Sequence, residues 1–564
     1  MFNLFIKPGL TFGIIILIFA GCKEKAEVDE TPIVREVLIP TFTVPSGDSV
    51  ELTNYLSIYS RLNASSDELL NYYQNRGWKY VWFNETGIKE QAGFFINLLR
   101  NLSAEGIKDS IDMLSVSESL FVLLSGQDYE YSGGDSLCQK LEYLLTAQYF
   151  LYADMVYRGL NEITTKSLNW FIKRERITID NLLDSLVLKG PEAFTSSIPH
   201  HPQYVKLKLE AIQLDKIKDA EWPPLELKDS IRFFELNDTS EVIASIQYRL
   251  HLLGDLDSII SVGLYDSITE IAVKSFQKRH GLHVDGQAGK FFLEALNVSP
   301  KERIEQIYIN MERYRWLPHK MVGNYITVNI PEYKMYIYEE DTLAWEMNII
   351  VGANSSGTTI FNDKLEYIVF SPYWIVPSSI IKNEIIPAMI KDSTYLSRNN
   401  MELFSFKSKE TLHLESLDWG QYRTRDIPYG IRQLPGAGNS LGWVKFLFPN
   451  QYYIYFHDTP GKNLFSHTQR NFSHGCIRLS EPKKLAAYLL RNDSTWTEAY
   501  LDSVMYSMEE TFVPLEEAIP VFITYLTSWV DTAGILQFRS DIYKHDATLK
   551  SALKRELIND INLK

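Results

Sequence analysis

Three cysteines occur in the chain, and one of them, Cys476, lies in the stretch YFHDTPGKNLFSHTQRNFSHGCIRLS (455–480), which also carries three histidines. A free thiol has a pKa of about 8.5 and is mostly protonated at neutral pH, so nucleophilic chemistry needs an imidazole to take its proton. His474 is two residues away, and a side chain that close along the chain reaches the sulfur only through a sharp kink. His457, on a separate segment, can approach freely, so geometry favours His457 as the base. Gly475 permits a tight backbone and is expected to leave the amides of Gly475 and Cys476 facing a substrate oxygen. The chemistry these residues suit is nucleophilic catalysis by a thiolate.

Two other uses of the same residues fit less well. His457, Asp458, His467, His474 and Cys476 include enough zinc ligands, but no paired spacing such as CxxC or HExxH is present. A papain-like peptidase needs its cysteine upstream of its histidine, and here the order is reversed. Neither a metal nor a cofactor is expected.

Elements of period two must position the pair. In GWVKFLFPNQYYIYFHDTP the pattern predicts a hairpin turning at Pro449-Asn450, with Tyr453, Tyr455 and His457 on one face and Tyr452, Ile454 and Phe456 on the other. Strand patterns begin near Asn324. YITVNI alternates, a hairpin turns near Glu340-Asp341, and LEYIVFSPYWIVP supplies another strand. A mostly helical, polar stretch from 378 to 430 interrupts them.

Upstream the period is helical. The segment 302–318 predicts an amphipathic helix ended by Pro318. Residues 236–298 predict three short helices: Ile243, Ile246, Leu250 and Leu253 share a face, Ser267 and Glu270 form a capping box, and Gly281 sits at a C-cap. Residues 51–235 read as mainly helical with no catalytic constellation, and His200-His201 beside prolines reads as a loop. Cys138 reads as a packed thiol.

Length and composition bound the rest. At 564 residues the chain predicts two to four domains. A net charge of −15 without a basic cluster argues against a nucleic-acid partner, and 33 tyrosines suit a chain that grips extended or sugar-bearing ligands. Lys7 followed by LTFGIIILIFA reads as a signal peptide over 1–21, too short an apolar run to span a bilayer. AGC after it resembles a bacterial lipoprotein signal, which makes Cys22 the lipidated residue and the membrane a partner. The segment 22–50 reads as a tether, whose mixed, proline-bearing 25 residues from Lys23 to Gly47 reach at most ~80 Å if fully extended and ~28 Å as a flexible coil.

Two resemblances add to this. IQYRL, FQKRHGL and DGQAG sit in the order found in the common peptidoglycan-binding module. HDTP…FSHGCIRLS resembles the signature of L,D-transpeptidases with a YkuD-type domain. NMERYRWLP, SPYWIVPSSIIKNEIIP, RQLPGAGNSLGWVKFLFPN and SDIYKHD are similar to the large YcbB-like periplasmic members. The resemblance implies an α+β multidomain fold: a helical scaffold (51–235), the three-helix module (236–298), a connecting helix (299–323), a β-sandwich-like catalytic domain (324–546) with a helical cap insertion (378–430), and a C-terminal tail (547–564). It further implies Cys476 as nucleophile, His457 as base oriented by the Asp458 carbonyl, Gly475 as an oxyanion amide and His474 as loop support. Arg478, Tyr455, Trp374 and Ser473 would line the substrate site. Partners would be peptidoglycan stem peptides and glycan, with carbapenems as inhibitors, and the location would be the periplasmic envelope, on the inner or outer membrane. The implied reaction cross-links the third residues of two stems. L,D-carboxypeptidation and a non-catalytic wall-binding lipoprotein are the alternatives.

Overall fold

The computed structural model describes residues 47–562 apart from 58–60, 108–110, 132–134, 176, 229 and 413–416. The signal peptide and Cys22 lie outside the described residues, as does the tether up to Ser46. Helix begins earlier than the expected end of that tether: Asp48 caps Ser49–Leu56, accepting from the amides of Val50 and Glu51 at 2.8 and 2.9 Å. Among the described residues no helix is long and apolar enough to cross a membrane.

The first half is helical because its apolar residues recur at helical spacing. Its longest helix there, Ser136–Ala153, is buried nearly all round and holds Cys138 fully inside. One acid is buried with it. Glu142 accepts from Tyr73 Oη (2.6 Å) and from the amides of Val81 (2.6 Å) and Trp82 (2.9 Å), and burial pushes its pKa up to about 7.

The module at 236–298 has its own small core around Ile243, Ile246, Leu250 and Phe276. Its second helix, Ser267–Arg279, is capped by Asp266, which accepts from Thr269 N at 2.8 Å, so the expected Ser267–Glu270 box is off by one residue. Aspartate takes the cap because its carboxylate reaches the third helical amide directly. Gly281 follows with φ +65°, as a helix end needs.

A capping box does form at Ser299–Glu302, opening the helix Pro300–Arg315. That helix is more than a connector with one apolar face. Ile304, Ile307, Met311 and Tyr314 are buried, and so are Asn310, Glu312 and Arg313. Glu312 accepts from Leu160 N (2.6 Å) and Trp316 Nε1 (2.9 Å) and pairs with Arg315. Arg315 donates to the carbonyls of Val156 and Glu105, both at 2.8 Å. The helical half is thereby stitched onto the β half.

Ten strands make the main sheet: β1 (Trp170–Phe171), β2 (Tyr325–Asn329), β3 (Lys334–Glu339), β4 (Thr342–Gly352), β5 (Ile360–Phe370), β6 (Val444–Leu447), β7 (Phe456–His457), β8 (Asn471–Ser473), β9 (Ile477–Leu479) and β10 (Thr511–Thr524). Their order is β6-β7-β9-β4-β3-β2-β10-β5-β1, with β8 on β4, and β6 also pairs β5, so the sheet closes on itself like a barrel. β1 comes from the helical half. The β3–β4 turn at Glu340-Asp341 has both φ values positive, which suits the right-handed twist of a hairpin.

Between β5 and β6 the insertion is less helical than its sequence predicts. It runs from Trp374 to Gln433 and builds a four-stranded sheet from Trp374–Ile375, Gly430–Gln433, Met401–Phe404 and Thr411–Leu412, over a separate core of Val376, Ile381, Ile385, Met389 and Ile431. The short strands escape pattern reading because two to four residues carry too little periodicity, and Trp374–Ile375 and Met401–Phe404 find Gly430–Gln433 only across the insertion. The segment expected as a tail is also ordered. His545–Asn562 is a helix, with Leu549 in the main core and Lys550 Nζ 2.5 Å from Glu305.

Candidate active site

His457 ends β7, and Cys476 immediately precedes β9. These strands are parallel neighbours, with Phe456 opposite Ile477 and His457 opposite Arg478. Adjacent strands thus bring the two segments side by side although they are far apart in sequence. Tyr455 O accepts from Ile477 N at 3.2 Å, which anchors the start of β9 beside the cysteine.

The connection before β7 is a longer loop than the expected tight hairpin. Only Phe456 and His457 pair with β6, and Tyr453 has φ +56°, so the face alternation fails upstream of Tyr455. Asn450 shapes the loop. Its Nδ2 donates to Phe448 O (2.6 Å) and Ile454 O (2.7 Å), and its Oδ1 accepts from Tyr452 N (3.0 Å) and Ile454 N (3.2 Å). Tyr453 itself is 85% exposed, and its carbonyl accepts from the Cys476 thiol at 3.6 Å.

His457 is buried, with Nδ1 2.5 Å from Asp458 O. Nδ1–H donating to that carbonyl leaves the Nε2 lone pair as the one able to accept a proton. Burial lowers the imidazole pKa to about 3, and the Arg478 and Lys462 charges push the same way, so the ring is neutral at pH 7. Burial also raises the Cys476 thiol, while a hydrogen bond with Tyr455 and the Arg478 charge oppose the rise. The resting pair is thiol and imidazole, not thiolate and imidazolium.

The Asp458 carboxylate has a separate task. Oδ2 accepts from Trp443 N (2.9 Å) and Oδ1 from Thr459 N (2.7 Å) and Lys462 Nζ. Gly442 passes so close that an added Cβ would lie 2.3 Å from Asp458 Cγ, and its φ of +61° suits glycine.

Two expected roles change. The Gly475 amide is not free for a substrate oxygen: it donates to Ser473 Oγ at 3.1 Å. Ser473 is buried, and its hydroxyl donates to Cys476 O at 2.5 Å, so it shapes the nucleophile loop instead of facing substrate. With φ +120° Gly475 makes this tight loop possible, which explains the glycine on backbone grounds. The amide of Cys476 has no acceptor among the described residues.

His474 reaches outward rather than into its own loop. Its Nε2 lies 3.0 Å from Glu384 Oε1 in the insertion, both side chains being half exposed. Trp374 packs against the insertion's own core. Arg478 is half-buried, and its Nε is buried with no hydrogen-bond partner. Tyr455 meets His457 edge-to-face, with ring centroids 5.7 Å apart. Sequence reading assigned no role to Glu384 or Gly442, because the contacts they make, with His474 and with Asp458, are set by the tertiary fold.

With this geometry in hand, family models match three stretches of the chain. Residues 323–501 match the L,D-transpeptidase catalytic domain (YkuD). The scaffold domain model matches 67–210, and the model described as "Putative peptidoglycan binding domain" matches 239–296. A Haemophilus influenzae protein named "Putative L,D-transpeptidase" is 33% identical over 248 residues, 44% of this chain and 49% of that protein, so the chain spans about half the length of this curated relative. Among solved structures, an L,D-transpeptidase from Stackebrandtia nassauensis is 14% identical, covering 52% of this chain and 94% of that one at a TM-score of 0.21. L,D-transpeptidase 3 from Mycobacterium tuberculosis, solved with a faropenem-derived adduct, is 13% identical over 36% of this chain and 60% of that one, at a TM-score of 0.18. The YkuD match stops at Leu501, inside the helix Glu498–Met505, whereas β10 and the segment to 546 complete the same sheet and core.

Proposed function

We propose that the chain is a cysteine L,D-transpeptidase of peptidoglycan. The observation that carries this is His457, whose Nδ1 is held by a peptide carbonyl while its neutral ring ends the strand beside Cys476. Cys476 attacks the carbonyl of the third residue of a tetrapeptide stem as His457 takes the thiol proton. The bond to the terminal D-alanine breaks, that amine takes the proton, and a thioester remains. An amine of a neighbouring stem then attacks the thioester, forming a cross-link between third residues and regenerating the thiol.

In this reading the Cys476 amide receives the oxyanion, and the unpartnered Nε of Arg478 binds a stem carboxylate. The insertion at 374–433 covers the thioester and favours amine over water. The helical module holds the glycan strand, and lipid on Cys22 tethers the chain in the periplasmic envelope. Carbapenems acylate Cys476.

The test is incubation of the full, detergent-solubilised chain and its Cys476→Ala variant with a disaccharide-tetrapeptide, followed by mass spectrometry of products and protein. Loss of D-alanine with a Cys476-dependent dimer supports transpeptidation. Tripeptide without dimer points to carboxypeptidation. Absence of product and acyl-enzyme across several stem types sinks the enzymatic reading in favour of a wall-binding scaffold.

A further inference from the structure

The loop carrying Cys476 is braced from behind by a residue pair that lies outside the signature. Thr358, buried at 2% exposure, donates from Oγ1 to Gly475 O at 2.7 Å and accepts at the same oxygen from Gly352 N at 2.9 Å. The Thr358 amide in turn donates to Tyr543 Oη at 3.3 Å, and that hydroxyl donates to Gly352 O. Tyr543 is itself fixed, its amide donating to Tyr525 Oη at 2.9 Å and its ring lying 3.3 Å from where a Gly357 Cβ would be. A second strut runs beside the first: Ser356 Oγ donates to Ser473 O at 3.2 Å and Ala353 N to the same oxygen at 2.8 Å.

What this brace controls follows from peptide geometry. The Gly475 carbonyl and the Cys476 N–H belong to one planar trans unit, in which C=O and N–H point in opposite directions. Holding the carbonyl against Thr358 therefore aims the Cys476 N–H away from the protein interior contact, and that amide has no acceptor among the described residues. The Gly475 amide cannot substitute, since Ser473 Oγ occupies it. A hydrogen bond to the carbonyl also polarises the peptide and strengthens its N–H as a donor.

We propose that Thr358, backed by Tyr543 from the C-terminal segment, is a positioning residue for oxyanion stabilisation, acting through the Gly475–Cys476 peptide. This rests on Cys476 being the acylated nucleophile. It gives the segment beyond residue 501 a part in catalysis although it contributes no reacting group.

The test separates a step that develops an oxyanion from one that does not. Imipenem acylates a thiol by attack on the β-lactam carbonyl: the S–C bond forms, the C–N bond opens and the nitrogen takes the thiol proton. Iodoacetamide alkylates the same sulfur with loss of iodide and no oxyanion. In the full chain, Thr358→Val is expected to slow acylation by imipenem about tenfold or more. Its alkylation rate at equal pH should stay within about twofold, by analogy with the geometric separation of the two steps. Thr358→Ser, which keeps the hydroxyl, should recover most of the acylation rate, and Tyr543→Phe should fall between. The inference is overturned if Thr358→Val acylates like wild type, or if acylation and alkylation fall together in Thr358→Val with Tyr543→Phe unchanged, since that marks collapse of the loop and not loss of aim. A wild type that alkylates at Cys476 yet is acylated by neither imipenem nor stem peptide overturns the nucleophile reading and this inference with it.

Discussion

The carbonyl of Asp458 lies 2.5 Å from Nδ1 of His457, while the Asp458 carboxylate is engaged with Trp443 N, Thr459 N and Lys462. The imidazole is oriented by a peptide oxygen, and the acid of the same residue holds that peptide in place. Removing the ring and altering the acid are then different experiments. His457→Gln is expected to lower acylation of Cys476 by about 10²–10⁴-fold, the usual worth of a positioned base. Asp458→Asn keeps the carbonyl and is expected to cost far less in rate, with about 1–3 kcal/mol of stability lost from the buried carboxylate bonds. Equal losses of rate in the two variants would contradict the division of labour.

The protonation states at rest make a pH prediction. Burial holds the thiol above its ordinary range and the imidazole down at about 3. Alkylation of Cys476 should therefore keep rising with pH beyond neutrality, with no inflection near the ordinary histidine value of about 6.5. A plateau reached by pH 7 would mean a preformed thiolate–imidazolium pair.

The same histidine affects stability. Its folded pKa is depressed, so between about 6.5 and about 3 the unfolded chain binds a proton that the native site refuses. Stability contributed by the neutral ring is full above the unfolded value and falls as pH drops through that window. Buried His280 and the half-buried His200, His201 and His545 act in the same direction. His457→Gln should flatten, but not abolish, the decline in melting temperature on acidification from pH 7 to pH 5.

Gly442 has no conformational or steric room for a side chain. A Cβ there would overlap the Asp458 carboxylate, and φ is +61°. Gly442→Ala is expected to destabilise the protein by about 1–3 kcal/mol and to reduce acylation by shifting the carbonyl that orients His457. Urea unfolding beside imipenem acylation measures both, and a variant with wild-type values in each would remove Gly442 from the site.

Contact between the insertion and the nucleophile loop runs through Glu384 and His474, 3.0 Å apart and half exposed. An exposed pair of this kind contributes about 0–1 kcal/mol, so Glu384→Ala should leave the melting temperature nearly unchanged. If the insertion shields the thioester, the variant should shift products from cross-linked dimer toward hydrolysed tripeptide. An unchanged ratio would separate the insertion's cover from this contact.

How much of this was legible in the chain differs by element. Cys476 and His457 stand out because reactive residue types recur at a spacing with few other uses, and the β3–β4 turn at Glu340-Asp341 and the C-cap at Gly281 follow from local backbone preference. The strands of the insertion, Trp374–Ile375 with Gly430–Gln433, did not show, since two- to four-residue strands carry too little periodicity and depend on distant partners. Sequence alone leaves the Gly475 amide free, because nothing local says that Ser473 Oγ turns back to take it.

Sequence by itself determined the chemical inventory: a thiol, an imidazole, a glycine before the thiol, and the periodicities that build strands and helices around them. Only the tertiary structure decided which amide faces outward, which carbonyl holds the ring, and that His474 reaches Glu384. The physical reason is that hydrogen-bond direction is set by peptide planes locked from across the fold, as Thr358 locks Gly475 over 117 residues of chain. Local sequence preferences carry no record of such a contact.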